Sequence, residues 1–127
     1  AGLACVLFAK RALENEGKLD DARKAKVEAA IKSAMNYLDG YYQEWNQHAS
    51  DSQLAVYYYL YSLERACALA GLPAVKKQDW YKENAMVLFQ LQLPDGSWRP
   101  EHGHVVSTSF ALLFLKRATT TILPPKK

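Results

Sequence analysis

Residues 54–63 read Leu-Ala-Val-Tyr-Tyr-Tyr-Leu-Tyr-Ser-Leu, and residues 110–115 read Phe-Ala-Leu-Leu-Phe-Leu. At helical pitch both stretches are apolar or aromatic on every side, so a helix built from either must be enclosed all round. Residues 3–9, Leu-Ala-Cys-Val-Leu-Phe-Ala, share that character. Segments of a second kind separate them. Val27, Ile31, Ala34, Leu38, Tyr41 and Trp45 form one apolar stripe, with Lys, Glu, Ser and Asn on the opposite face. Further on, Tyr81, Ala85 and Leu88 stand at helical spacing among Lys82, Glu83 and Asn84. Such mixed segments suit helices with one face covered. The order is enclosed, half-exposed, enclosed, half-exposed, enclosed. Strand-like alternation is absent, and the fold class is all-α.

Punctuation sets the boundaries. Asn15-Glu16-Gly17 and Gly71-Leu72-Pro73 are helix stops, while Asp20-Asp21, Ser50-Asp51-Ser52 and Asp79 are helix starts. Five helices are predicted, over about 1–14, 20–42, 52–70, 79–92 and 106–118, with 119–127 as a C-terminal tail. The chain opens inside a helical pattern without an N-cap, as a piece of a longer protein would. The formal charge of +3 is small and the basic residues are scattered, which argues against a nucleic-acid partner. A solvated helix face accounts for Arg23-Lys24-Ala25-Lys26 and a frayed tail for Lys126-Lys127. No apolar run is long enough to cross a membrane. Cys5 and Cys67 read as buried free thiols, with a single disulfide as the alternative.

The enclosed segments carry a shared signature, Lys10-Arg11-Ala12, Glu64-Arg65-Ala66 and Lys116-Arg117-Ala118, at offsets of 54 and 52 residues. A repeat of that length is one enclosed helix plus one half-exposed helix. Stacking such pairs gives an inner and an outer layer, so the expected architecture is a partial α/α toroid covering 1–118.

Between the fourth and fifth helices stands Gln92-Leu93-Pro94-Asp95-Gly96-Ser97-Trp98, a Q-x3-G-x-W pattern. It resembles the QW motif of the terpene-cyclase and prenyltransferase superfamily, the squalene-hopene-cyclase-like toroids. Residues 51–71 and 105–118 likewise resemble inner helices of prenyltransferase/squalene-oxidase-repeat proteins. The resemblance implies that the Gln92 side chain pairs with free backbone groups at a helix end, that Gly96 turns the chain, and that Trp98 stacks as a lid between layers. It also implies that five helices are under half of a toroid. One repeat earlier, Trp45 stands near the matching place without a glycine two residues before it.

The catalytic signatures of that superfamily are absent from the sequence. A D-x-D-D acid motif is replaced by Asp20-Asp21 at a helix start, where capping is the favoured role. The segments comparable with a prenyltransferase zinc site read Asp51-Ser52-Gln53 and Val106-Ser107-Thr108-Ser109, without cysteine. Cys5, in Leu3-Ala4-Cys5-Val6, cannot form a G-C-G-E-Q thioester. Glu101-His102-Gly103-His104 could bind a divalent metal or exchange protons, but an exposed polar loop is the favoured reading, and no cofactor is expected. The repeat offset nevertheless aligns His104 with Ser52, so Asp51, Gln53, His102 and His104 are a candidate rim site beside helix N-termini. Tyr57, Tyr58, Tyr59 and Tyr61 could wall a cavity, although core packing is favoured for them; of these, Tyr57, Tyr58 and Tyr61 are the candidates.

These features point to a non-catalytic scaffold or binding module on a toroid framework. The alternative is part of an isoprenoid cyclase or transferase whose acid or metal site lies elsewhere. Expected partners are the remaining helices of a longer protein or a second copy, and an apolar small molecule. The first and last enclosed helices should then expose Leu3, Val6 and Leu7 at one end and Phe110, Leu113 and Phe114 at the other.

Overall fold

The computed structural model describes residues 2–48, 56–98 and 103–119, with only the backbone of 43–48. Five helices form in the expected order: α1 (Gly2–Asn15), α2 (Asp21–His48), α3 (Val56–Ala70), α4 (Trp80–Leu91) and α5 (His104–Leu115). The all-α class holds for the described residues, whose only strand-like pairings are two isolated bridges.

Local chemistry explains most helix ends. Asp20 caps α2, accepting the Arg23 N–H on Oδ1 at 2.8 Å. Asp79 caps α4, accepting the N–H groups of Tyr81 and Lys82 at 3.1 and 3.0 Å. Gly17 and Gly71 adopt positive φ (64° and 66°) behind α1 and α3. There Lys18 N–H reaches Leu13 O and Leu72 N–H reaches Cys67 O, satisfying carbonyls that a helix leaves free. α2 runs six residues beyond the expected stop at 42, because Gly40-Tyr41-Tyr42 contains no residue that must leave the helix.

α3 is the centre of the fold. It packs on α1 at one side and α5 at the other, and α2 packs on α1. α4 joins through side chains: the Tyr81 and Trp80 rings lie 5.5 and 6.1 Å from that of Phe114, and Tyr81 Oη donates to Leu115 O at 2.7 Å. Asn84, fully buried, donates to Tyr42 Oη on α2 and to Trp80 O, and Tyr42 Oη donates to Glu83. The three apolar helices therefore form one row, with α2 and α4 outside it. Three helices in a row fix neither curvature nor closure, the two properties that define a toroid.

Only α3 is enclosed as its sequence predicts, with Tyr58 its one exposed residue. α1 buries Leu3 and Ala4 and leaves Cys5, Phe8 and Ala9 exposed. α5 buries Ser107, Ala111 and Phe114 and exposes Val105, Val106, Leu112 and Leu113. Hydropathy says which side chains would gain from burial, but neighbours decide whether they are buried, and helices at the ends of a row have neighbours on fewer sides. For the same reason the expected apolar ends are corrected. Leu3 and Phe114 are buried, Val6, Leu7 and Phe110 are partly covered, and Leu113 is exposed. Both cysteines are free, but Cys5 is exposed, whereas burial and nearby Glu64 push the Cys67 thiol up to about 12.

The shared signature does not mark equivalent places. Lys10-Arg11-Ala12 and Glu64-Arg65-Ala66 lie inside helices, whereas Lys116-Arg117-Ala118 follows the end of α5. Arg117 takes the left-handed conformation there (φ 52°), with its N–H on Phe114 O, so α5 stops early and the 52-residue offset fails at that helix.

Candidate functional site

At the C-terminus of α4, Gln92 leaves the helix with extended backbone and bridges antiparallel to Trp98. Leu93 N–H reaches Ser97 O at 2.8 Å, Gly96 N–H reaches Leu93 O at 2.9 Å, and Gly96 sits at φ 84°, where a side chain would strain the turn. Trp98 is 2% exposed. Its indole N–H donates to Leu88 O at 2.9 Å, one of the last four carbonyls of α4. Its backbone N–H donates to Thr108 Oγ1 at 3.2 Å and so joins the turn to α5. Gln92, exposed, donates to Gly96 O at 2.9 Å. The division of labour differs from expectation: the tryptophan satisfies the helix end and the glutamine closes its own turn. An indole on a short loop can reach back one helical turn while its ring fills the core, which a glutamine cannot do.

A second tryptophan, of which its sequence context gave little notice, satisfies a carbonyl of the loop between α3 and α4. Trp80, 1% exposed, donates its indole N–H to Leu72 O at 2.8 Å across a turn closed by the Val75–Gln78 bridge. Arg117 lies over its ring at 5.6 Å and over Tyr81 at 5.1 Å.

Of the candidate rim residues, Asp51, Gln53 and His102 lie outside the described residues. His104 begins α5, exposed, with Nδ1 3.4 Å from Ser97 Oγ. Ser97 in turn donates its hydroxyl (2.6 Å) and N–H (2.9 Å) to Asp95 Oδ1. Those bonds, together with His104, hold the Asp95 carboxyl below its usual range. Acyl-transfer chemistry needs the histidine to take the serine proton, with the carboxylate behind the histidine. Here the serine proton points to the carboxylate, and the arrangement is that of a turn. No group of three His, Cys, Asp or Glu side chains suited to a metal ion occurs among the described residues.

The tyrosines of α3 divide by helical direction. Tyr57 is buried in the core. Tyr58 and Tyr61 pack on Phe110 of α5, with ring centroids 5.6 and 5.2 Å apart. Arg65 donates to Tyr61 Oη at 2.7 Å and lies over Phe8 of α1 at 5.2 Å, so this strip ties the row together. A different set walls the described cavity of about 700 Å³, with Tyr59 the only α3 tyrosine in it. α2 supplies Tyr37, Leu38, Tyr41 and the small residues Ala30, Ser33 and Ala34; α1 supplies Gly2, Leu3 and Val6; α3 adds Ser62, Leu63 and Ala66. Burial, with Tyr42 and Tyr41 nearby, pushes the Tyr59 phenol well above its ordinary value. Tyr41 was legible as part of the apolar stripe of α2; which helix that stripe would face was not.

Glu64 is the functional-looking group that sequence reasoning missed. Its carboxylate is fully buried and accepts Thr119 N–H at 3.1 Å and Thr119 Oγ1 at 2.6 Å. Burial pushes its carboxyl up, against the pull of Thr119, Arg117 and Arg65. No sequence signal pairs residues 55 positions apart.

Set against protein-family models, curated proteins and solved structures, the chain finds no match. The resemblance of residues 92–98 to a QW motif therefore carries no family assignment.

Proposed function

We propose that this chain is a scaffold or binding segment of the squalene-cyclase/prenyltransferase-like toroid kind, which works by joining helical surfaces. The observation that carries this reading is the uncovered face of α5. Val105, Val106, Leu112 and Leu113 are 79%, 40%, 54% and 37% exposed and recur at helical spacing on one side. α5 contains no Asp, Glu, Lys or Arg, so two such faces meet without like-charge repulsion. Covering each of these aliphatic side chains is worth about 1–3 kcal/mol. Continued stacking of helix pairs, as in a toroid, would cover the face; in the isolated chain a second copy does so.

Sedimentation equilibrium tests this. The chain should self-associate at micromolar concentrations, and Val105→Glu combined with Leu112→Glu should give a monomer of unchanged helix content. A wild-type monomer across the accessible concentration range would remove the basis of the reading.

A further inference from the structure

We propose that the cavity between α1, α2 and α3 binds one uncharged, largely apolar small molecule. The volume argues for a small molecule over a peptide. About 700 Å³ lies within the usual range of roughly 300–1,000 Å³ for such sites. A helix about 10 Å across would fill that volume within about 9 Å, or some six residues, too short a segment to dock as a helix.

The walls argue for the absence of charge. Among the described residues no Asp, Glu, Lys, Arg or His lines the cavity, so an ionised ligand would lose its hydration with no opposite charge from them to replace it. The polar groups present are hydroxyls, those of Ser33 and Ser62 among them, which suit a neutral donor or acceptor on an otherwise apolar body. Tyr37 and Tyr41 stack with centroids 6.0 Å apart and planes 8° apart, and Tyr41 meets Tyr59 edge-on at 5.7 Å, making one continuous aromatic wall. Leu3, Leu63 and Ala66 are buried at the floor, while Ala30 and Tyr37 are exposed at the mouth. The space exists because small residues stand where α2 faces its neighbours. The cavity opens to solvent at its mouth, and its largely apolar wall gives water few partners. α5 contributes nothing to the lining, so this site is independent of the α5 face.

The test is a titration with N-phenyl-1-naphthylamine, a neutral apolar fluorophore, followed by displacement with 1-dodecanol and with dodecanoate. One saturable site per chain is expected, with dodecanol displacing the probe at concentrations at least about tenfold lower than dodecanoate. Ala34→Trp, which places an indole inside the cavity, should weaken probe binding at least about tenfold, and Ala30→Trp at the exposed mouth should do the same if Ala34→Trp loses helix content. Ala29→Trp, exposed and outside the lining, should leave binding unchanged, and the Val105→Glu, Leu112→Glu chain should still bind. Absence of saturable binding, equal binding in the filled variants, equal loss in Ala29→Trp, or dodecanoate competing as well as dodecanol would each overturn the proposal. Loss of binding in the Val105→Glu, Leu112→Glu chain would do so as well, by moving the probe to the α5 face.

Discussion

The two halves of this molecule use similar sequence differently. From α3 onward the chain is dense: Leu60, Leu63, Trp80, Leu88, Trp98 and Phe114 share one core, and tryptophan indoles satisfy a carbonyl of the loop after α3 and one at the C-terminal end of α4. The α1–α2 hairpin is loose. α1 buries only Leu3 and Ala4, Tyr42 is the one buried side chain described on α2, and the cavity opens where these helices meet α3. Composition does not explain this, since both halves are rich in Ala, Leu and Tyr. The difference lies in residue size at facing positions. Ala30, Ser33 and Ala34 line the open cavity beside α2, whereas the second half packs Trp80, Phe114 and Trp98 into its core. Large rings with a polar handle fill space and satisfy backbone groups together, whereas small residues at helical spacing leave room for something else. Close packing thus lies on the α4–α5 side of α3, and the cavity on its α1–α2 side.

The largest effect expected from this contrast is at Trp98. Trp98→Ala removes a core ring and frees Leu88 O, and should cost about 3–5 kcal/mol, read from urea midpoints. A midpoint within error of wild type would mean that the turn is not a clamp. In the loose half, Leu3→Ala should cost less, about 2 kcal/mol, because the residue borders space that is already open and mainly loses transfer free energy. A cost equal to that of Trp98→Ala would abolish the distinction between the halves.

The sequence made one half of this contrast legible. The helix ends at Gly17, Asp20, Gly71 and Asp79 follow from backbone chemistry confined to a few residues, and periodicity foretold five helices in order but the enclosure of α3 alone. Trp98 was legible because Pro94-Asp95-Gly96 forces a turn directly before it. The loose half was not legible, since a void depends on what two distant segments fail to supply. Tyr58 and Tyr59 look alike in sequence, yet one meets Phe110 and the other faces the cavity. Glu64 looked like part of a polar repeat until Thr119 was found against it, and Arg117 stopped α5 through a left-handed conformation that arginine rarely adopts.

A smaller effect is expected from pH, and it acts on the dense half. The Glu64 carboxyl is raised from an ordinary value of 4.5 in the folded chain. The folded state therefore holds that proton more tightly than the unfolded state. The stability so contributed is complete below the ordinary value and is lost as pH rises through the folded-state value. Urea midpoints should fall as pH rises from 4.5 through the folded-state value and then level off, and Glu64→Gln should flatten the dependence. An unchanged slope in Glu64→Gln would assign the dependence to other groups.

Amide hydrogen exchange, followed residue by residue in the native chain, tests the division into halves most directly. Amides of α3 and α4 should exchange only through global unfolding, whereas α1 and the 21–42 part of α2 should open at lower free energy. Trp98→Ala should lower protection in both sets, and Leu3→Ala chiefly that of α1 and α2. Uniform protection across all five helices would contradict the account, because a hairpin packed around an open cavity cannot be as hard to open as a core closed by two tryptophans.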